Sequence, residues 1–293
     1  MVENPAAAGF FASAARSRAL AMPELPEVET TRRGILPRLQ GRRVVAVAVH
    51  EDRLRWPVTP GLAALLDGQQ LVTIDRRGKY LLFQFARGTL LVHLGMSGSL
   101  RVFPSATVPL RRHDHFELHW DDGCVLRYQD PRRFGAVLWA GETPASHPLL
   151  AGLGVEPLGP DFDGRYLFRR SRGRRVSVKQ WLMDAKVVVG VGNIYASEAL
   201  FLAGVDPRRS AGSVTLARYD RLVNSVREVL RAAIARGGVT LRDYVDSNGV
   251  PGYFASELRV YGRASQPCVH CAAPIRMLRQ AQRSTFYCPR CQR

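Results

Sequence analysis

Lysine is nearly missing from this chain: of 42 basic residues only Lys79, Lys179 and Lys186 are lysine, and the rest are arginine. Acids are scarce as well, 25 against those 42, so the 293 residues carry a formal charge of +17 spread along their length. An excess of that size points to a polyanion as partner. Arginine's planar fork of donors also matches phosphate oxygens and guanine edges better than an ammonium does. Codon bias in a GC-rich genome would raise the arginine share too, without accounting for the net charge. No run of ~18 apolar residues occurs, so nothing in the sequence is suited to span a membrane. Cysteine is confined to five positions, four of them in one late cluster. That excludes a secreted disulfide scaffold and suits a reducing compartment. Internal repeats and low-complexity segments are missing too, and the length calls for two or three domains.

What is present begins with residues 22–29, Met-Pro-Glu-Leu-Pro-Glu-Val-Glu, which read as an amino terminus lying inside the chain. Removal of Met22 would free Pro23 as a secondary amine. Its lone pair could then attack an electrophilic carbon, whereas the same nitrogen in a peptide bond is delocalised and inert. The plainer alternative is a helix start, with Pro26 in the first turn and Glu27 and Glu29 at the positive end of the dipole. Residues 1–21 lack the charged start and apolar core of a secretion signal. They read as an extension that is removed, an organelle presequence, or the product of a misassigned start codon.

Beyond that point the texture changes three times. Val28, Ile35, Leu36 and Leu39 fall at helical spacing, and Gly41 ends the run. Short β-rich segments follow at Val44–Val49, Leu71–Ile74, Tyr80–Phe85, Thr89–Leu94, Phe116–Trp120, Val125–Tyr128 and Ala136–Trp139, separated by Gly, Pro and Asp turns. They predict a β-sandwich over 22–143. A Pro/Gly-rich passage over 144–160 reads as a linker. The next domain, 161–263, is helical. Leu216, Leu222, Val223, Val226, Leu230 and Ile234 mark one apolar face between a Ser213/Thr215 cap and a Gly237-Gly238 stop. Shorter helices are expected at Trp181–Ala185 and Asn193–Ala203. The Val187–Gly192 loop between them is either an apolar core turn or a place where another chain's backbone approaches closely, such as DNA gripped by amides and Asn193. The class is α+β multidomain.

Residues 264–293 hold Cys268-x-x-Cys271 and Cys288-x-x-Cys291 with sixteen residues between the pairs. Two chelating knuckles of soft ligands are what tetrahedral Zn²⁺ takes in a ribbon, and four thiolates leave no open position for water, so one structural zinc is expected. His270 sits inside a knuckle, where a solvated ring or one supporting the cysteine ligands is expected over ligation. Arg276, Arg279 and Arg283 should project from a hairpin towards phosphates. Cys124 alternates with strand residues and reads as core.

Six motifs in order resemble formamidopyrimidine-DNA glycosylase over residues 22–293. They are Pro23-Glu24-Leu25-Pro26-Glu27-Val28-Glu29, Arg77-Gly78-Lys79-Tyr80, His93-Leu94-Gly95-Met96-Ser97-Gly98, Asp130-Pro131-Arg132-Arg133-Phe134-Gly135, Gly190-Val191-Gly192-Asn193-Ile194-Tyr195 and the terminal ribbon. The resemblance implies an N-terminal β-sandwich with flanking helices, a helix-two-turns-helix domain and a C-terminal zinc ribbon. It implies a bifunctional enzyme that excises oxidised purines from damaged double-stranded DNA through a Schiff base on Pro23 and cuts the strand by β,δ-elimination, acting as a monomer in the bacterial cytoplasm with no membrane contact.

Carried over position by position, the resemblance makes Pro23 the nucleophile, Glu24 the acid at the sugar ring oxygen and Glu27 its support. Lys79 and Arg283 belong with the catalytic groups at phosphate and lesion. His93, Asn193 and Arg242 contact DNA. Met96, Arg132 and Phe134 form a wedge that fills the gap when a nucleotide leaves the stack. A lesion-recognition loop falls near Thr240–Tyr253, where Arg242 and Asn248 replace the lysine and aspartate expected of the family. Two other readings stand beside this one: the sister glycosylase for oxidised pyrimidines, whose start resembles Pro-Glu-Gly-Pro-Glu, and a zinc-ribbon protein that binds DNA without chemistry because Pro23 stays blocked.

Overall fold

The computed structural model describes residues 23–239 and 254–293. Residues 1–21, Met22 and the segment that carries Arg242 and Asn248 lie outside the described residues.

The chain enters helix α1 (Leu25–Leu39) at once, since Pro26 presets the first turn and the Glu27 carboxylate reaches back to accept the Glu24 N–H at 2.8 Å. Val28, Ile35 and Leu39 turn one face of α1 into the sandwich core, and α1 also touches the long helix Leu216–Ala235 of the second domain. The sandwich consists of two four-stranded antiparallel sheets. In one, β1 (Val44–Val49), β6 (Asp114–Trp120), β7 (Val125–Gln129) and β5 (Ser99–Phe103) lie in that order. In the other, β2 (Leu71–Arg77), β3 (Tyr80–Phe85), β4 (Gly88–His93) and β8 (Ala136–Gly141) form a meander closed by the last strand. Phe83, Leu90, Val92, Phe116, Leu118, Trp120 and Leu126 fill the space between them, as the period-2 pattern requires. Cys124 is buried there as expected. Every strand expected from the sequence is present. β5 was not foreseen, because Ser99–Phe103 lies between Gly98 and Pro104 and reads as loop; nor was the five-residue helix α2 (Leu62–Leu66).

The 144–160 passage is tied down rather than loose. Glu156 accepts from Gly78 N at 2.7 Å, Arg76 Nη1 at 2.8 Å and Arg77 Nη1 at 3.0 Å, which fixes the β2–β3 turn against it. The helical domain contains α3 (Gly164–Ser171), α4 (Val178–Leu182), α5 (Asn193–Leu202) and α6 (Leu216–Ala235). α3 escaped the sequence reading because five of its eight residues are arginine, serine or glycine. α4 starts three residues earlier than expected, since the Ser177 side chain accepts the Gln180 N–H and caps it there. α5 is buried along Ile194–Phe201 and so sits at the centre of the domain. The ribbon hairpin, β9 (Arg276–Gln280) and β10 (Arg283–Tyr287), turns at Ala281 and Gln282, both with positive φ, the two-residue geometry whose twist matches the strands. β10 packs on α5.

Candidate active site and metal centre

Pro23 and Glu24 lie at the head of α1, and both are buried where the two domains meet. The Glu24 carboxylate accepts three backbone N–H groups from the start of α5: Gly192 at 2.8 Å, Ile194 at 2.9 Å and Tyr195 at 3.4 Å. A carboxylate at a helix N-terminus meets both its unpaired donors and its dipole. The fit needs glycine at 192, because a Cβ there would stand 2.2 Å from the Glu24 carboxyl carbon. These amides therefore close on the protein's own acid. The expectation that the Val187–Gly192 loop admits another chain's backbone gives way to an intramolecular contact, since α1 already fills that space and Leu25 N donates to Gly190 O at 3.1 Å.

Burial pushes the Glu24 pKa up, opposed first by the charge of Lys79 and then by the three amides. Glu27, equally buried, is pushed up to about 7 by desolvation and by Glu24, while a Tyr195 hydroxyl at 2.5 Å and Val239 N at 2.8 Å donate to it and pull the other way. A carboxyl whose folded value exceeds its ordinary one contributes stability that is full below pH 4.5 and lost as pH rises through 7. Glu27 should thus make the unfolding free energy fall by on the order of 3 kcal/mol over that window. Glu29, whose own burial is outweighed by Arg32, Arg33 and Arg76, is held at about 2 and adds no slope there. Urea unfolding of Glu27→Gln at pH 5 and pH 8 should show the drop removed; an unchanged drop would assign the titration to Glu24.

Lys79 enters from the β2–β3 turn. Burial lowers its pKa, Glu24 raises it and Arg283 lowers it again, so an acid from α1, a lysine from the sandwich and an arginine from the ribbon lie within one another's fields. His93, at the end of β4, is brought down to about 4 by burial, then by Lys79 and Arg55. Its Nδ1 accepts from Gly95 N at 3.1 Å, so the neutral ring keeps its proton on Nε2. Arg55, in the loop between β1 and α2 and without a sequence motif to mark it, belongs to this basic edge. Met96 is half-buried, and Arg132 and Phe134 are exposed on the neighbouring turn, with the guanidinium 4.8 Å from the Phe134 ring centre. At 41% exposure Phe134 is not core.

Asn193 is occupied within the protein. Its Oδ1 accepts from Lys179 Nζ at 2.6 Å, and its Nδ2 donates to Ser284 O at 3.1 Å and to the Tyr261 hydroxyl at 3.4 Å. Lys179 is 1% exposed and donates to Thr285 Oγ1 at 2.7 Å and Ser284 O at 3.0 Å. Burial draws its pKa down to about 7. These two residues lock α4, α5 and β10 together behind Arg283. Only the rarity of lysine in the sequence marked Lys179 for attention, and nothing local gave its role.

The four ribbon cysteines bring their Sγ atoms within 4.8 Å of one another, with Cys268 to Cys291 at 3.8 Å and Cys271 to Cys288 at 3.5 Å. A disulfide needs about 2.05 Å. A tetrahedron with Zn–S bonds of about 2.3 Å has edges of about 3.8 Å, so this donor set fits one structural zinc. His270 is not a fifth donor: its ring packs on Phe201 of α5, 4.9 Å between centres, and its backbone N–H points at Cys268 Sγ. Arg276, Arg279 and Arg283 are exposed along the hairpin, as expected.

Comparison with known proteins places each of these parts. Residues 22–137 match the formamidopyrimidine-DNA glycosylase N-terminal domain, 153–245 the H2TH domain of the same enzyme, and 265–293 the zinc finger found in FPG and IleRS. Formamidopyrimidine-DNA glycosylases of Methylococcus capsulatus and Alkalilimnicola ehrlichii are 57% identical over 272 residues and 59% over 277. In each case the match covers 93% of this chain and the whole of the relative. The solved FPG protein of Thermus thermophilus superimposes with a TM-score of 0.82 at 40% identity, over 92% of this chain and 98% of its own. A Lactococcus lactis FPG variant in complex with Fapy-dG-containing DNA gives 0.85 at 33%, over 92% of this chain and all of its own. With an acid seated at the domain junction, a four-cysteine ribbon beside it, an N-terminal-domain match that starts at Met22 and relatives covered over their whole length, the chain belongs to the formamidopyrimidine-DNA glycosylase family of DNA-repair enzymes.

Proposed function

We propose that the chain, once Pro23 is its first residue, excises 8-oxoguanine and formamidopyrimidines from duplex DNA through a covalent imine on Pro23 and then cuts the strand at the abasic site. The observation that carries this is the seat of Glu24, a buried acid next to the proline whose pKa is raised mainly by loss of water. Loss of water favours its protonated form, the direction a general acid needs. The Pro23 lone pair forms a bond to C1′, the damaged base leaves with the electrons of its glycosidic bond, and the one proton shed by the proline nitrogen ends on the departing base. Glu24 delivers its proton to the ring oxygen as the C1′–O4′ bond opens, which leaves a charged iminium, because a secondary amine has no second hydrogen to lose. That charge acidifies the C2′ hydrogen. Its loss expels the 3′ phosphate, and a second elimination expels the 5′ phosphate.

Around this centre Lys79, Arg283 and the Nε2–H of neutral His93 supply donors to phosphate and lesion. Met96, Arg132 and Phe134 fill the vacated stack, with the Arg132 guanidinium hydrogen-bonding the base left unpaired opposite the lesion. Asn193 contributes through the hairpin it holds. The partner is damaged duplex DNA bound by a single chain in the cytoplasm; among the described residues no helix is long and apolar enough to cross a membrane. Support also comes from the Lactococcus lactis proteins, solved with Fapy-dG DNA and with abasic-site DNA.

Protein beginning at Pro23, incubated with a duplex carrying one 8-oxoguanine opposite cytosine, should release the free base and leave a one-nucleotide gap bounded by two phosphates. Base release with an intact strand would remove the strand-cutting half of the reading. Tight binding with neither product would favour a non-enzymatic DNA binder.

A further inference from the structure

Two turns lie side by side at the rim of the sandwich, Leu94–Gly98 with Met96 and Asp130–Gly135 with Arg132 and Phe134. Their backbones touch. Gly95 has φ +64°, and a Cβ on it would stand 2.5 Å from Gly135 N and from the Phe134 carbonyl carbon, so a side chain there would force the turns apart.

The Asp130 carboxylate sits between them with no exposed surface. Its Oδ1 accepts from Ser97 Oγ at 2.6 Å and from Arg132 N at 3.3 Å, and its Oδ2 accepts from Gly135 N at 2.8 Å and the Tyr128 hydroxyl at 3.1 Å. Ser97 Oγ also accepts from Arg132 N at 3.2 Å. The Asp130 carbonyl takes the His115 Nε2 hydrogen at 2.8 Å. Among the described residues no arginine or lysine forms an ion pair with Asp130. Its charge is met by hydrogen-bond donors drawn from both turns, and what those bonds accomplish is alignment. Ser97 follows Met96 directly, and the Arg132 N–H is shared between Ser97 and Asp130.

We propose that Ser97 and Asp130 are positioning residues that make Met96, Arg132 and Phe134 one rigid body, so that filling the gap and reading the orphaned base are a single event. The inference rests on the wedge roles proposed above. Two turns held in register before DNA arrives need not be ordered at the moment of extrusion, and buried bonds to a charged acceptor are strong enough to hold them.

The test is a mutant cycle on single-turnover excision of 8-oxoguanine from duplex: Met96→Ala, Arg132→Ala and both together, each with native Ser97 and with Ser97→Ala. With Ser97 present, the double variant should lose little more than the worse single one, the signature of residues that act as a unit. With Ser97→Ala the two losses should multiply. Ser97→Ala alone should slow excision about tenfold, as expected for loss of a buried bond to a charged group, and should shrink the ratio of excision opposite cytosine to excision opposite adenine. Asp130→Asn should reproduce both effects. A merely structural role would lower every rate and leave that ratio alone. An unchanged ratio, or losses in the Ser97→Ala background that still fail to multiply, would overturn the coupling and leave the wedge standing. If Met96→Ala and Arg132→Ala both excise at the native rate, the wedge reading falls and this inference with it.

Discussion

Protein that starts at Pro23 should form a covalent complex with 8-oxoguanine DNA that borohydride traps, and protein forced to retain residues 1–21 should trap on the order of 10³-fold less or nothing at all. The expectation follows from one nitrogen. In a terminal proline the lone pair is free, and near neutral pH a useful fraction is unprotonated, since α-amines titrate near about 8. In the extended chain the same atom belongs to a planar amide. Everything else in the site would be intact in the extended form, because Glu24 reaches Gly192, Ile194 and Tyr195 through its own side chain. DNA affinity should therefore fall far less than trapping. Efficient trapping by the extended form would remove Pro23 as nucleophile and send the search to Lys79. Intact-mass measurement of protein made from its native gene would say which terminus exists in the cell.

The second large effect is expected at the ribbon. One zinc should be found per chain, and Cys288→Ser should abolish it. Structural zinc sites of this kind contribute about 10–16 kcal/mol of apparent binding free energy, so the hairpin has little to hold it once a ligand is lost. The damage should spread to the site without reaching the sandwich. Arg283 begins β10, and Ser284 and Thr285 on that strand are the partners of Lys179 and Asn193. The sandwich core, by contrast, draws none of its side chains from the ribbon. Duplex affinity should drop by two orders of magnitude or more, while near-ultraviolet signals from Trp120 in the sandwich persist. Zinc-free protein that binds duplex at native strength would refute the role of the hairpin.

How much of this could be read from the sequence depended on range. Motifs whose chemistry is local were legible, because a turn or a knuckle is specified by residues a few positions apart; the Cys-x-x-Cys pairs and the Met96 and Arg132 turns are of this kind. The sandwich was legible from alternation. Contacts across the chain were not. Glu24 and its three amides are about 170 residues apart, and nothing near either end announces the other. The helix-start amides were therefore assigned to a phosphate, a sound default for an unoccupied helix N-terminus, when the protein had already filled it. Asn193 is expected to contact DNA, and the bonds its side chain makes to Lys179, Ser284 and Tyr261 were not legible from its neighbours in sequence. Helix α3 was missed where three arginines break the apolar pattern that marks buried faces, and strand β5 because a glycine and a proline bracket its five residues.

The seat of Glu24 also bears on how the enzyme is born. On the start proposed above, the first domain would leave the ribosome with Pro23 at its tip, while the groups that hold the two acids, the amides of Gly192, Ile194 and Tyr195 and of Val239, are made much later. At roughly 5–20 residues per second that delay lasts on the order of ten seconds or more. During it the proposed amine would stand without a seated acid, so a half-made molecule would have no competent centre. A truncated product that lacks the helical domain would be as harmless to the chromosome as one that lacks the proline.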